Sequence, residues 1–175
     1  MRRMIHPMTL VLAALLCAAP TSVPADGGGG GGGGGGNGAP SARPQDPEYS
    51  AAVAAIENGD HRAAIRLLES VVVRDGKNAD AYNWLAYATR QAGDPAGSIP
   101  IYQKALQIDR KHRGAHEYIG EAYLALGDLP RAKEHLAQLD KLCFFPCSQY
   151  RDLRKAIQAY EASGGQVRPT TKAVR

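Results

Sequence analysis

The chain has 175 residues, of which 22% are charged, and 21 basic residues against 17 acidic ones give it a net charge of +4. An excess of this size is no electrostatic footprint for nucleic acid, which requires a concentrated basic face. The only basic cluster is the C-terminal stretch VRPTTKAVR, which is most simply a solubilising tail. We therefore expect no nucleic-acid partner.

The N-terminal segment, from Met1 to Ala25, has the pattern of a secretory signal peptide. Arg2 and Arg3 make a positive start, and an apolar run follows from about Met8 to Ala19. That run is shorter than the roughly 20 apolar residues that are needed to cross a bilayer. It fits the apolar region of a signal peptide that is cleaved after Ala25. We expect export to the periplasm of a Gram-negative bacterium, with no transmembrane anchor after cleavage.

Cys17 offers an alternative to cleavage after Ala25. A lipoprotein would be acylated at this cysteine and would stay tethered to the membrane. Leu16, directly before it, is larger than the Gly, Ala or Ser that such sites usually carry. We keep cleavage after Ala25 as the main interpretation and the membrane-tethered lipoprotein as the alternative.

Residues 26–44 are a glycine-rich linker. The ten consecutive glycines from Gly27 to Gly36 bury no side chain and have the largest backbone entropy to lose on folding. About 20 residues of such coil have a root-mean-square span of roughly 25 Å. We predict a disordered tether that carries no chemistry of its own.

A sequence repeat of constant period follows the linker, and three evenly spaced Gly-Asp pairs mark it. Five positions past each glycine stands a small residue, and nine positions past each stands a large one. In chain order the glycines are Gly59, Gly93 and Gly127, the aspartates Asp60, Asp94 and Asp128, the small residues Ala64, Ser98 and Ala132, and the large residues Leu68, Tyr102 and Leu136.

Each Gly-Asp pair predicts the end of one helix and the start of the next. Glycine readily adopts the left-handed conformation that closes a helix. The aspartate after it accepts hydrogen bonds from the free backbone N–H groups of the helix that follows. The small residues allow two antiparallel helices to approach closely, and the large ones fill the space between neighbouring pairs. The sequence therefore predicts a stack of helical pairs.

In its period and in these signature positions, the chain resembles the tetratricopeptide repeat (TPR) family over about residues 45–144. The resemblance implies an all-α fold, a right-handed α-solenoid of helix-turn-helix repeats. Three repeats are expected, at residues 45–78, 79–112 and 113–144, followed by a C-terminal capping helix.

The capping helix is predicted at residues 145–163. Repeat arrays need a terminal element with one polar face to cover the last apolar surface. One stripe of this helix carries the apolar and aromatic side chains Tyr150, Leu153, Ala156, Ile157 and Tyr160. Gly164 and Gly165 end the helix, and residues 164–175 are predicted to be a disordered tail.

In TPR proteins the first helix of each pair lines a concave surface that holds a peptide or a segment of a partner. The resemblance implies that a set of polar, aromatic and apolar side chains lines such a groove here. The groove residues are expected to be Tyr49, Val53, Asn83, Tyr87, Arg90, Gln91, Glu117, Glu121 and Leu124. Their mixture suggests an extended or helical peptide with apolar anchors.

One TPR subtype is argued against by the sequence. The chaperone-binding TPRs hold a C-terminal carboxylate with Lys, Asn and Arg at defined groove positions. Those positions hold Tyr49, Val53, Trp84, Gly114 and Tyr118 in this chain. We therefore expect no recognition of chaperone tails.

Cys143 and Cys147 are the cysteines that remain after signal cleavage, and in an oxidising compartment they are expected to form a disulfide. Residues i and i+4 of a regular helix have Cα atoms about 6 Å apart, near the upper part of the disulfide range. Pro146 breaks the helix at Phe145 and lets the backbone adjust. We predict a clip at the corner between the last repeat and the capping helix.

Two other uses of the cysteines stay open. Soft Cu(I) prefers thiolates, and a copper site would use Cys143 and Cys147 with His135, the nearest histidine in sequence. A thiol-redox couple is the second alternative, although no strand pattern of a thioredoxin-like fold occurs.

Nothing else in the sequence suggests an enzyme. No Gly-x-Ser-x-Gly, His-Glu-x-x-His or phosphate-loop motif is present, and we expect neither catalysis nor a cofactor. The sequence favours an exported protein-interaction module, an adaptor or scaffold that binds a partner peptide or segment. Three repeats are near the minimum for stable stacking, which favours a small adaptor or a weak homo-oligomer. The alternative function is a periplasmic metal- or thiol-handling protein.

Overall fold

The computed structural model describes residues 46–165. Seven α-helices and no strand occur in these residues, so the predicted all-α fold is confirmed. The signal peptide with Cys17, the glycine-rich linker and the tail beyond Gly165 lie outside the described residues. The helices are α1 (Pro47–Glu57), α2 (His61–Arg74), α3 (Ala79–Gln91), α4 (Pro95–Ile108), α5 (Arg113–Ala125), α6 (Leu129–Leu142) and α7 (Ser148–Ala162).

The three Gly-Asp pairs make the turns between α1 and α2, α3 and α4, and α5 and α6. The glycines have φ angles of 76°, 102° and 79°, which lie in the left-handed region that closes a helix. The aspartate carboxylates accept hydrogen bonds from backbone N–H groups of the next helix, at distances of 2.9, 2.7 and 3.1 Å. Both predictions from the sequence are confirmed, and the donors are Ala63, Gly97 and Arg131.

Helices that follow one another along the chain pack together, from α1 with α2 through to α6 with α7. The first helices of the pairs also meet, because α3 contacts both α1 and α5. No such contacts join α2 to α4 or α4 to α6. The array is therefore narrower on the side of α1, α3 and α5. We call the surface of these three helices the inner face.

The small and large repeat positions form the core between the helices. Ala64, Ser98 and Ala132 are completely buried, which lets the two helices of each pair approach closely. Leu68 and Tyr102 are completely buried as well, and the remaining large residue, Leu136, packs against the core from a half-buried position.

Helix α7 closes the end of the array by packing against both α5 and α6. Leu153 and Ile157 are buried, and the rest of the predicted stripe (Tyr150, Ala156 and Tyr160) packs against the same core.

None of the helices within residues 46–165 combines the length and apolar character that crossing a membrane requires.

Candidate functional site: the inner face of the helical array

All nine predicted groove residues lie on the inner-face helices. Tyr49 and Val53 are on α1, four are on α3 and three are on α5. Their exposure differs widely. Asn83, Tyr87, Glu117 and Leu124 are each 3% exposed, whereas Tyr49, Val53, Arg90, Gln91 and Glu121 are half-buried.

A set of aromatic rings crosses the inner face from α1 to α5. The ring centroids of Tyr87 and Tyr118 are 5.0 Å apart, and Trp84 lies 5.6 Å from Tyr87 and 6.2 Å from Tyr118. On α1, Tyr49 lies beside Trp84, and burial raises the pKa of its hydroxyl to about 12. We call these four residues the aromatic strip. Tyr49, Trp84 and Tyr118 are half-buried, so each keeps part of its surface in solvent.

Trp84 and Tyr118 were not among the predicted groove residues. The sequence contains a signal for them, because they stand one repeat period apart, at the same position of consecutive repeats. Aromatic residues at equivalent positions of neighbouring first helices meet across the seam between the helices.

Arg90 and Glu121 form an ion pair with each other across the seam between α3 and α5. Arg90 Nη2 lies 2.9 Å from Glu121 Oε2, and the two side chains are 12% and 11% exposed. The Arg90 guanidinium also lies over the Tyr87 ring, 5.4 Å from its centroid. Burial alone would lower the pKa of Arg90, but the Tyr102 hydroxyl and the Glu121 carboxylate raise it, so the guanidinium stays charged. Both predicted groove residues therefore stabilise the stacking of two repeats.

Asn83 and Leu124 are less accessible to a partner than the groove interpretation assumed. The Oδ1 atom of Asn83 is shielded from solvent and has no hydrogen-bond partner among the described residues. A partner would need a rotation of this side chain to reach it. Leu124 belongs to the hydrophobic core, so it contributes packing and not exposed groove surface.

The remaining groove residues lie along the aromatic strip. Gln91 Nε2 donates a hydrogen bond of 3.3 Å to the Tyr87 hydroxyl. Glu117 is buried close to Tyr118, where burial of the ring and the Glu117 charge raise the pKa of the Tyr118 hydroxyl. Val53 is half-buried on α1. The accessible part of the inner face is thus mainly aromatic, and the two carboxylates beside it are largely buried.

A pair of histidines joins α5 to α6 behind the inner face. His116 Nε2 lies 3.1 Å from the carbonyl oxygen of Arg110, so this nitrogen carries the proton. The His116 Nδ1 atom is then an acceptor and receives the Nδ1–H of His135 at 2.9 Å. Burial lowers the pKa of His135 to about 4, and its ring is stacked on Tyr123. Both imidazoles are neutral in this arrangement.

The copper site of Cys143, Cys147 and His135 stays an alternative hypothesis, and the structure shows other contacts for these three residues. His135 points to His116, and no group of three or more His, Cys, Asp or Glu side chains in residues 46–165 could hold a metal ion. The Sγ atoms of the two cysteines lie within bonding distance of each other, and their Cα atoms are 5.8 Å apart. Cys143 ends α6 and Cys147 precedes α7, which is the corner where the sequence predicted a clip.

Comparison with known proteins identifies the repeats. Residues 49–113 match one family model of the tetratricopeptide repeat, and residues 89–157 match a second. The two matches together span residues 49–157, and both models describe the tetratricopeptide repeat. The sequence is also 30% identical over 91 residues to Tetratricopeptide repeat protein 1 of Schizosaccharomyces pombe, covering 49% of this chain and 9% of that protein. The chain thus matches only a small part of that relative.

Solved TPR structures have the same fold. PcrH in complex with the chaperone-binding region of PopD superposes with a TM-score of 0.60 and 17% identity, covering 67% of this chain and 90% of PcrH. The first TPR of Spaghetti (RPAP3), bound to the HSP90 peptide SRMEEVD, gives a TM-score of 0.59 and 21% identity, covering 66% of this chain and 90% of that one. At these identities the likeness concerns the fold, a TPR solenoid.

Proposed function

We propose that this chain is an exported adaptor whose inner face holds a segment of another protein, without catalysis. The observation that carries the proposal is the aromatic strip, in which half-buried rings from all three inner-face helices adjoin one another. Aromatic side chains lose little conformational entropy when a partner covers them, because they have only two side-chain torsions. A strip of this kind offers anchoring surface to an extended or helical segment.

The chemistry of the strip suggests which segments it binds. Glu117 and Glu121 border it, and the charge of Glu121 is already matched by Arg90. The basic residues of a carboxylate clamp are missing from the corresponding positions, which hold Tyr49, Val53, Trp84, Gly114 and Tyr118. We therefore expect segments with apolar or aromatic anchors, and we expect weak binding of acidic C-terminal tails.

Trp84 provides a direct test because it is the only tryptophan in the chain. Peptides would be selected from a random display library on the full chain and titrated while Trp84 emission is recorded. We expect Tyr49→Ala and Tyr118→Ala each to weaken binding by about tenfold, since each removes one aromatic contact. Gln103→Ala is the matched control, because Gln103 is exposed on α4, away from the inner-face helices.

Peptide binding that does not involve the aromatic strip would overturn this proposal. Peptides whose affinity is the same for wild type, Tyr49→Ala and Tyr118→Ala would occupy another surface. A selection that yields no peptide able to change Trp84 emission would also contradict it. Circular dichroism of each variant establishes that a loss of binding is not a loss of fold.

The exported location rests on the signal-peptide pattern and on the pairing of Cys143 with Cys147, which is typical of oxidising compartments. Intact mass after acid quenching and alkylation of producing cells tests it. We expect a chain that starts near Asp26, with no alkylated cysteine. Retention of residues 1–25, or alkylation of both cysteines, would contradict export into an oxidising space.

A further inference from the structure

The loop between α6 and α7 displays two phenylalanines to solvent. Cys143 and Cys147 close this loop, and the residues between them are Phe144, Phe145 and Pro146. Phe144 is 94% exposed and Phe145 is 76% exposed. Their rings are nearly perpendicular, with centroids 4.9 Å apart. We call this feature the Phe144–Phe145 tip.

The tip is unusual within residues 46–165. The only other large hydrophobic side chains exposed there are Val73 on α2 and Leu126 just after α5, and each stands singly. Single exposed hydrophobic residues are ordinary on protein surfaces. Packing of the core does not explain why two adjacent aromatic rings are both exposed to solvent. The paired cysteines tie the ends of the loop together, so that the phenylalanines project from the corner between two helices.

The form and charge of the tip suggest its occupant. Because both rings are largely exposed and project from the protein, any surface that binds them must be able to deform around them. The boundary between lipid headgroups and acyl chains does so, and aromatic side chains are favoured there. Within residues 140–155, the four basic residues outnumber the two acidic ones. Basic residues close to an apolar anchor strengthen binding to anionic lipid.

We propose that the Phe144–Phe145 tip inserts into the headgroup region of an anionic lipid bilayer. Contact at the end of α6 and the start of α7 leaves the inner face, on α1, α3 and α5, available to a protein partner. Two phenylalanines and a modest basic excess make a weak, reversible attachment, since stable anchoring takes more than one signal.

Vesicle sedimentation of the full chain is the first test. The vesicles would contain phosphatidylcholine with about a quarter phosphatidylglycerol, and pure phosphatidylcholine would serve as the uncharged comparison. We expect Phe144→Ser/Phe145→Ser to lower the partition coefficient about tenfold or more, because the apolar contribution of both rings is lost. Val73→Ser is the matched control, because it removes another exposed hydrophobic residue far from the tip in sequence, and it should bind like wild type.

A second measurement reports on the tip alone, whatever the rest of the chain contributes to binding. Trp84→Phe/Phe144→Trp moves the only tryptophan to the tip. We expect its emission to shift to the blue with anionic vesicles and to be quenched by lipids brominated on their acyl chains. Trp84→Phe alone supplies the background.

Three results would overturn the proposal. The first is an unchanged partition coefficient for Phe144→Ser/Phe145→Ser, which would assign vesicle binding to other residues. The second is no quenching of the tip tryptophan by brominated lipid. The third is a concentration-dependent dimer in the absence of lipid that the double substitution abolishes, which would assign the tip to a second copy of this chain.

Discussion

Two arginines join neighbouring helices in this fold, and they do so in opposite environments. Arg74, at the end of α2, lies 2.7 Å from both Asp46 and Glu48 at the start of α1, and the three side chains are 33–46% exposed. Arg90 lies 2.9 Å from Glu121, and only 12% and 11% of these two side chains are exposed. The exposed contacts are shorter and more numerous, yet we expect the loss of one partner to cost more in the buried pair. An ion pair in water is screened, whereas a buried charge that loses its partner stays desolvated.

The pKa values show the same contrast. Hydrogen bonding to Arg74 holds the pKa values of Asp46 and Glu48 below their ordinary range, but solvent screens these groups. Around Arg90 the surroundings are aromatic, and burial raises the pKa of the adjoining Tyr102 hydroxyl. The buried pair thus lies in surroundings where solvent screens its charges much less.

The largest effect in this comparison is expected for Arg90→Met. It leaves the Glu121 carboxylate buried without its partner, and breaking a buried pair in this way costs about 3–5 kcal/mol. The free energy of unfolding would be measured by urea denaturation with Trp84 emission. Arg90→Met/Glu121→Leu is the control, because it removes both charges and should recover most of the loss. A loss below about 1 kcal/mol for Arg90→Met would contradict the comparison.

A second prediction concerns the buried polar contact that carries no charge, between His116 and His135. The pKa of His135 falls from 6.5 to about 4 on folding, mainly because of burial, so the proton binds better to the unfolded chain. The free energy of unfolding that comes from keeping His135 neutral is complete above pH 6.5 and is lost as the pH falls towards 4. With allowance for partial exposure, we expect a loss of roughly 1–3 kcal/mol across that range.

His135→Phe separates this effect from the titration of the carboxylates. The variant lacks the titrating group and keeps an aromatic ring beside Tyr123. Urea unfolding at several pH values between 4 and 7 should give a smaller pH dependence for His135→Phe than for wild type. If the free energy of unfolding depends on pH equally in both proteins, the histidine contact has no part in that dependence.

The disulfide is expected to have a smaller effect. The loop from Cys143 to Cys147 is so short that its closure removes little entropy from the unfolded chain, and Cys143→Ser/Cys147→Ser should cost about 2 kcal/mol at most. Thermal unfolding followed by circular dichroism measures the change. Wild type with reducing agent should match the variant without it. A markedly larger loss would mean that the clip holds α7 on the array.

The smallest effect is expected at the exposed arginine. Arg74→Met should leave the urea midpoint unchanged within error at physiological ionic strength, although it removes two contacts of 2.7 Å. The pKa values of Asp46 and Glu48, followed by NMR, should rise towards their ordinary values. A clear fall in the midpoint would show that these contacts act as a network and not as separate surface pairs.

The repeat positions of this fold can be predicted from the sequence, because each depends on local chemistry. A glycine that closes a helix and an aspartate that caps the next one act within a single helical turn, and the constant period repeats that chemistry along the chain. The burial of Ala64, Ser98 and Ala132 follows from the same period.

The candidate site is harder to predict from the sequence, because its contacts join residues on different helices. The sequence predicts Arg90 and Glu121 as separate groove residues, whereas they bind each other across 31 positions of sequence. Opposite charges on the facing sides of neighbouring first helices were a usable signal. The pairing of His116 with His135 had no such signal, because neither residue occupies a repeat position that predicts contact.

Gly120 has a consequence for the reach of the inner face. A methyl group there would lie 2.6 Å from Leu153, because α7 packs where a further repeat would begin. Helix α7 therefore takes the place that the first helix of a fourth pair would occupy. Three inner helices about 10 Å apart span roughly 20–25 Å, and an extended peptide covers that distance with about six or seven residues. A bound segment longer than this must extend past α1 at one end or towards α7 at the other.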